Sequence, residues 1–187
     1  MEQYPVRKIE KPIDWCVTVP GSKSMTNRAL LMAALSDGTV TLDGVLFSDD
    51  SRHFISSLTA LGFDVLVEEE KRRVTVKGES GTIPKKEAEI DVGSAGTAAR
   101  FLTAMLGMSD GSYVIQASGQ MKKRPMQELF SLLTGVGANI TYLETEGHLP
   151  VKICGRRNPK AGADQSKASA VIYSIVETAK ANSLVPR

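Results

Sequence analysis

One stretch of this chain occurs twice, and that repeat restricts the fold more than any other feature. Gly21-Ser22-Lys23-Ser24-Met25-Thr26-Asn27-Arg28-Ala29-Leu30 lies in register with Gly93-Ser94-Ala95-Gly96-Thr97-Ala98-Ala99-Arg100-Phe101-Leu102, with Gly, Ser, Arg and Leu coinciding at an offset of 72 residues. Further pairs follow in order: Asp37-Gly38 with Asp110-Gly111 at 73, Leu61-Gly62 with Val136-Gly137 at 75, and Val76-Lys77-Gly78 with Ile153-Cys154-Gly155 at 77. Small, growing offsets indicate one duplicated unit with short loop insertions, whose copies bury their apolar faces against each other.

The repeated stretch carries chemistry as well as fold. Cys16-Val17-Thr18-Val19 has the β-branched content of a short strand, Pro20-Gly21 breaks it, and Ser22 or Ser24 caps a helix running through Leu30, Leu31, Ala34 and Leu35. A helix start exposes free N–H groups and the positive end of the dipole. Lys23 and Arg28 beside it make an anion site for phosphate or carboxylate, whereas a single such helix would read equally as capped and solvated. Recurrence in register, with Arg100 answering Arg28, favours the anion site.

The first unit runs from Cys16 to Gly78. Gly38 is expected to end its first helix, followed by a strand at Val40–Asp43 and a second helix that Ser48 begins, with Phe54, Ile55, Leu58 and Leu61 at helical spacing. Gly62 closes that helix. Val65–Val67 and Val74–Val76 then flank Glu68-Glu69-Glu70-Lys71-Arg72-Arg73, a charge run read as a solvated hairpin tip. After a connector the second unit, 89–155, repeats the order: strand Glu89–Val92, helix Gly96–Leu106, strand Tyr113–Gln116, helix Pro125–Val136 and paired strands Ile140–Leu143 and Leu149–Ile153. Residues 1–15 are a lead-in. Residues 156–187 do not repeat the unit and are expected to carry a helix over Lys167–Ala181. The fold class is α/β, with strand-helix-strand-helix-strand-strand units mixing parallel and antiparallel strands.

Composition sets the remaining bounds. With 42% hydrophobic residues in 187, the chain can bury a core. Lys and Arg number 23 against 21 Asp and Glu, a net charge of +2, which disfavours a general nucleic-acid or membrane surface. Cys16 and Cys154 form no disulfide framework, and the N-terminus shows no signal-peptide core, so a cytoplasmic location is expected. No run reaches the ~18 apolar residues of a membrane span. His53 and His148 stand apart without ligand spacing, so no metal and no cofactor is expected.

Four motifs in order give the chain a family likeness. Pro20-Gly21-Ser22-Lys23-Ser24 with Asn27-Arg28-Ala29-Leu30, Ser48-Asp49-Asp50, Gly93-Ser94-Ala95-Gly96-Thr97-Ala98-Ala99-Arg100 and Lys123-Arg124-Pro125 resemble EPSP synthase, 3-phosphoshikimate 1-carboxyvinyltransferase, over residues 15–155. UDP-N-acetylglucosamine enolpyruvyl transferase shares that fold but does not usually carry Lys-Ser in its opening loop, and ranks below. The resemblance implies the enolpyruvyl transferase inverse α/β barrel and a transferase of the shikimate pathway, in aromatic amino acid and chorismate biosynthesis. Such an enzyme moves the enolpyruvyl group of phosphoenolpyruvate onto the 5-hydroxyl of shikimate 3-phosphate and releases phosphate. Carried over by position, Lys23 touches both substrates and Ser24 and Arg28 hold shikimate 3-phosphate. Ser94, Gly96, Thr97, Arg100 and Arg124 serve phosphoenolpyruvate. Gly96 is implied because a side chain would crowd the ligand. Lys23 and Asp50 are the implied catalytic residues; Asp50 reads equally as a capping carboxylate, and the match of Arg100 to Arg28 equally as helix packing.

Two departures from the family pattern stand out. Ser94 replaces a frequent Asn, and Phe101 replaces a frequent Pro, which bears on the helix geometry behind glyphosate sensitivity. The family is also more than twice as long, with two domains of three units each and a cleft site between them. Only two units are present here, which implies an N-terminal portion that binds anions weakly and does not turn over alone. The alternative is a non-catalytic phospho-ligand-binding half that needs a C-terminal partner. Self-association is expected because the absent third unit leaves apolar faces uncovered. Nucleic-acid binding ranks last: it rests on Arg156, Arg157, Lys160, Lys167 and a likeness of 168–182 to the end of some insertion-sequence transposases. Leu184-Val185-Pro186-Arg187 resembles a thrombin cleavage sequence, which marks the end as an added segment.

Overall fold

The computed structural model describes residues 19–156, together with 5, 8, 14, 16 and 17. The expected helix over Lys167–Ala181 lies outside the described residues, as do Arg157, Lys160 and the terminal tetrapeptide.

The first unit folds as α1 Lys23–Leu35, β1 Asp37–Asp43, α2 Asp49–Ala60, β2 Val65–Glu68 and β3 Arg73–Glu79. The second folds as β4 Glu87–Asp91, α3 Gly96–Gly107, β5 Ser112–Gln116, a one-turn α4 Gly119–Lys122, α5 Gln127–Gly135, β6 Asn139–Tyr142 and β7 Val151–Cys154. The duplication is visible in the sheets. β1-β3-β2 is an antiparallel three-stranded sheet, and β5-β7-β6 repeats it within the sheet β4-β5-β7-β6, where β4 lies parallel to β5.

Alternation explains these strands. Val74 and Val76 of β3 and Tyr113 and Ile115 of β5 sit two apart and are fully buried, while the intervening residues are partly accessible. The buried residues form one core across both units, from Leu30, Phe54, Leu58 and Val76 to Leu102, Tyr113, Phe130 and Ile153. Because α1 and α2 both pack on α3, and α2 also on β4, the second unit is fixed against the helices of the first.

The charge run forms the expected hairpin tip. A 3-10 turn, Glu69–Lys71, leads into Arg72 with φ +50°, and β2 returns against β3. Its charges pair locally: Lys71 Nζ lies 2.5 Å from Glu68, and the Arg52 guanidinium holds the Glu69 carboxyl below its ordinary pKa by hydrogen bonding.

Two expectations are corrected. Gly38 does not end α1, which stops at Leu35 with Ser36 as its extended C-cap. The Ser36 hydroxyl donates to the Ala33 carbonyl at 2.8 Å, so the helix end needs no left-handed glycine, and Gly38 instead pairs with Gly78 inside β1. Cys16, Val17 and Val19 belong to no strand. Their counterpart β4 is paired with β5 and buries Ile90, whereas Val17 and Val19 are 72% and 74% exposed and pair with no strand among the described residues.

Candidate active site

The starts of α1, α2 and α3 meet at one cleft of about 570 Å³, lined by Lys23, Arg28, Asp50, Ser94, Gly96, Thr97, Arg100, Phe101, Gln120 and Arg124. Four cations and one carboxylate converge there. A concave surface dominated by one sign of charge concentrates the field and draws anions in.

Each helix start is set by its own local chemistry. Ser22 is the N-cap of α1, its hydroxyl accepting from the Met25 N–H at 3.4 Å. Gly21 allows the chain to lie on the next loop, since a Cβ there would stand 2.3 Å from the Gly44 carbonyl oxygen. That loop is clamped at Leu46, whose N–H donates to Thr26 Oγ1 at 3.2 Å and whose carbonyl accepts from Ser51 Oγ at 2.5 Å. Thr26 belongs to α1 and Ser51 to α2, so the backbone of one residue fixes the two helices against each other. The result is the Lys23–Asp50 ion pair, 3.2 Å between Nζ and Oδ2. Ser48 and Ser51 form a capping box at the start of α2, so Asp50 is a first-turn carboxylate facing the cleft and Ser48 is the cap.

The start of α3 differs, because its N-cap is Ala95 and no side chain caps it. Its first turn, Gly96 and Thr97, therefore presents N–H groups without a side-chain acceptor from the cap position beside Arg100 and Arg124. The preceding loop is held rigidly. Gly93, at φ +53°, donates to Asp91 Oδ1 at 2.8 Å and accepts from the Ser118 N–H at 3.0 Å, and the His53 ring packs where a Cβ would stand 2.2 Å from its Nε2. His53 Nδ1 lies 3.2 Å from the Asp91 carbonyl oxygen, tying α2 to the same loop.

The two duplicated arginines adopt one posture. Arg28 Nη1 donates to the Ser24 carbonyl at 3.2 Å and Arg100 Nη1 to the Gly96 carbonyl at 3.3 Å, each reaching one turn back and leaving the rest of its fork for a ligand. Arg100 is exposed and lines the cleft together with Arg28. A Cβ on Gly96 would stand 2.7 Å from Arg124 Nη1 and 3.4 Å from Arg100 Nη1; the absent side chain leaves room for both arginines.

Of the residues singled out by sequence, Lys23, Arg28, Asp50, Ser94, Gly96, Thr97, Arg100 and Arg124 are brought together. Ser24 is exposed on the first turn of α1, outside the residues lining the cleft. The sequence reading missed Gln120 and His53 as contributors, and noted Phe101 only as a departure from the family pattern. Gln120 arrives on α4, a single turn capped by Ser118 whose start, Ser118-Gly119, resembles a loop in sequence. Phe101 lines the cleft directly. His53 supports the Gly93 loop, a role that no spacing rule announces. Among the described residues no group of His, Cys, Asp or Glu could hold a metal ion.

The family model for EPSP synthase (3-phosphoshikimate 1-carboxyvinyltransferase) matches residues 7–182. The chain belongs to the EPSP synthase family. It is 39% identical over 157 residues to 3-phosphoshikimate 1-carboxyvinyltransferase of Nostoc sp., covering 84% of this chain and 37% of that protein. It is 44% identical over 150 residues to the Sulfurovum sp. protein of the same name, covering 80% and 34%. A solved structure of EPSP synthase from Acinetobacter baumannii superimposes with a TM-score of 0.69 at 27% identity, covering 78% of this chain and 33% of the other. The fold is thus the α/β fold of the EPSP synthases, and the chain spans little more than a third of the length of these curated relatives.

Proposed function

We propose that this chain supplies the phosphate-binding part of an EPSP synthase, with the rest of the site contributed by sequence beyond these two units. The supporting observation is the convergence of Lys23, Arg28, Arg100 and Arg124 with the uncapped start of α3 on one cleft. Shikimate 3-phosphate and phosphoenolpyruvate are both multiply charged anions, so a site for the pair needs several fixed cations. In this reading Arg28 holds shikimate 3-phosphate from within the cleft, and Ser24 joins it from the first turn of α1, outside the cleft lining. Ser94, Gly96, Thr97, Arg100 and Arg124 hold phosphoenolpyruvate, and Lys23 lies between the two. In the reaction the 5-hydroxyl oxygen bonds to C2 of phosphoenolpyruvate, the C–O bond to phosphate breaks, and the hydroxyl proton leaves with the phosphate. Asp50, paired with Lys23, keeps the ammonium group at the reacting centre.

The exposed Leu66 and Val67 of β2 and the outer edge of β1, which no strand among the described residues pairs, are faces for the remaining sequence or for a second copy to cover, so self-association is expected of this length alone. No helix among the described residues is long and apolar enough to cross a membrane. The activity is assigned to the cytoplasm, where the exposed thiols of Cys16 and Cys154 stay reduced.

Calorimetric titration of shikimate 3-phosphate into this chain tests the reading. Removing a charge-assisted contact costs about 1.5–3 kcal/mol, so Arg28→Gln is expected to weaken binding by roughly ten-fold or more. Equal affinity in the variant would overturn the assignment.

A further inference from the structure

The duplicated arginines share a posture but not a setting. The Arg28 Cζ lies 5.9 Å from the centroid of the Phe101 ring, at the outer edge of the cation–π range. In the repeat, Phe101 stands opposite Ala29, so the two units do not carry the same ring. Arg28 also differs in being partly buried, with its Nε buried and without a hydrogen-bond partner, whereas Arg100 is exposed.

We infer that Phe101 is a positioning residue, which holds the Arg28 guanidinium in one plane and so makes this half of the cleft the fixed phosphate subsite. A guanidinium tethered only through Nη1 to a carbonyl at 3.2 Å can still rotate about that bond. The Phe101 ring beside it restricts that rotation and keeps the fork in the cleft that both residues line. The Arg28 Nε is buried and finds no hydrogen-bond partner among the described residues, so that end of the group is enclosed by protein and the donors left for an anion are those of the Nη atoms. Arg100 is exposed and has no ring against it among the described residues, which leaves it free to follow its ligand. The cleft thus pairs a rigid arginine with an adaptable one.

This inference rests on the proposed anion site but is tested apart from its catalytic reading, with inorganic phosphate as the probe. Phosphate affinity is measured by titration of the full chain for the native protein, Phe101→Leu, Phe101→Tyr, Arg28→Lys and the double variant Phe101→Leu/Arg28→Lys, with the Arg28 Nε–H resonance followed by NMR. Phe101→Leu is expected to weaken phosphate binding about two- to five-fold, the equivalent of the ~0.5–1 kcal/mol of an accessible cation–π contact. Phe101→Tyr is expected to keep the native affinity, and Phe101→Leu to have no further effect once Arg28 is lysine. The Arg28 Nε–H signal sharpens on phosphate addition in the native chain and stays exchange-broadened in Phe101→Leu. The same loss from Phe101→Leu in both arginine backgrounds, or an unchanged affinity with an unchanged resonance, would overturn the inference. If phosphate binds to none of the proteins, the anion site itself is refuted; if it binds and the variants do not differ, only the role of Phe101 is.

Discussion

Ser51→Ala probes how the cleft is assembled, because a single hydroxyl holds three backbone groups at the junction of α1 and α2. Ser51 is fully buried; its Oγ lies 2.5 Å from the Leu46 carbonyl, 2.9 Å from the Ser48 carbonyl and 2.8 Å from the Ser48 N–H. Alanine removes these bonds, but the Ser48 N–H still donates to the Leu46 carbonyl at 3.1 Å and the Ser48 carbonyl still accepts from the Arg52 N–H at 2.9 Å, so the loss is that of net hydrogen bonds, about 0.5–1.5 kcal/mol each, and not of stripped groups. With the bond to Leu46 and one arm of the capping box lost together, the sum expected is about 1–3 kcal/mol. For a domain of this size each kcal/mol lowers Tm by roughly 2–4 °C, which predicts a fall of about 2–12 °C. Urea unfolding followed by circular dichroism gives the free energy, with Ser48→Ala as comparison. That variant removes the 3.4 Å bond from the Ser51 N–H but leaves Ser51 bound to Leu46, so it is expected to lose less. A loss for Ser51→Ala below about 0.5 kcal/mol, the range of an ordinary surface substitution, or a loss smaller than that of Ser48→Ala, would refute the clamp at Leu46.

Gly96→Ala should fold normally, since its Cβ meets the far end of a flexible arginine, but it displaces the Arg124 head and is expected to weaken phosphate binding several-fold in the same titration. Leu102→Ala, at a fully buried position of α3, should cost about 2–5 kcal/mol and leave a single unfolding transition, because both units share one core. Two separated transitions would show that the units fold independently.

What sequence revealed and what it concealed divide along physical lines. The repeat at an offset of 72 residues located α1 and α3 and the arginines on them, because helix caps and apolar spacing are local signals. It also brought Lys23, Arg28, Gly96 and Arg100 to one cleft, since related units place equivalent helix starts alike. Pairing was less legible. Val17 and Val19 have strand-forming residues but no cover, and strand formation depends on neighbours more than on the segment itself. Gly38 looked like a helix stop because glycine favours a left-handed φ, which it does adopt at +87°, but inside β1. Gln120, Phe101 and His53 reach the site or its support through tertiary packing, and nothing in their local pattern marks that role.

The most direct test of the central claim measures phosphate release from phosphoenolpyruvate in the presence of shikimate 3-phosphate. This chain is assayed alone and together with the separately produced remainder of a related EPSP synthase, with Lys23→Met as the control against host enzyme. The account predicts no turnover from the chain alone, and turnover on mixing that disappears with Lys23→Met. Turnover by the chain alone that is lost in Lys23→Met would contradict the claim that the rest of the site lies beyond these two units. Turnover on mixing that survives Lys23→Met would contradict the assignment of the cleft.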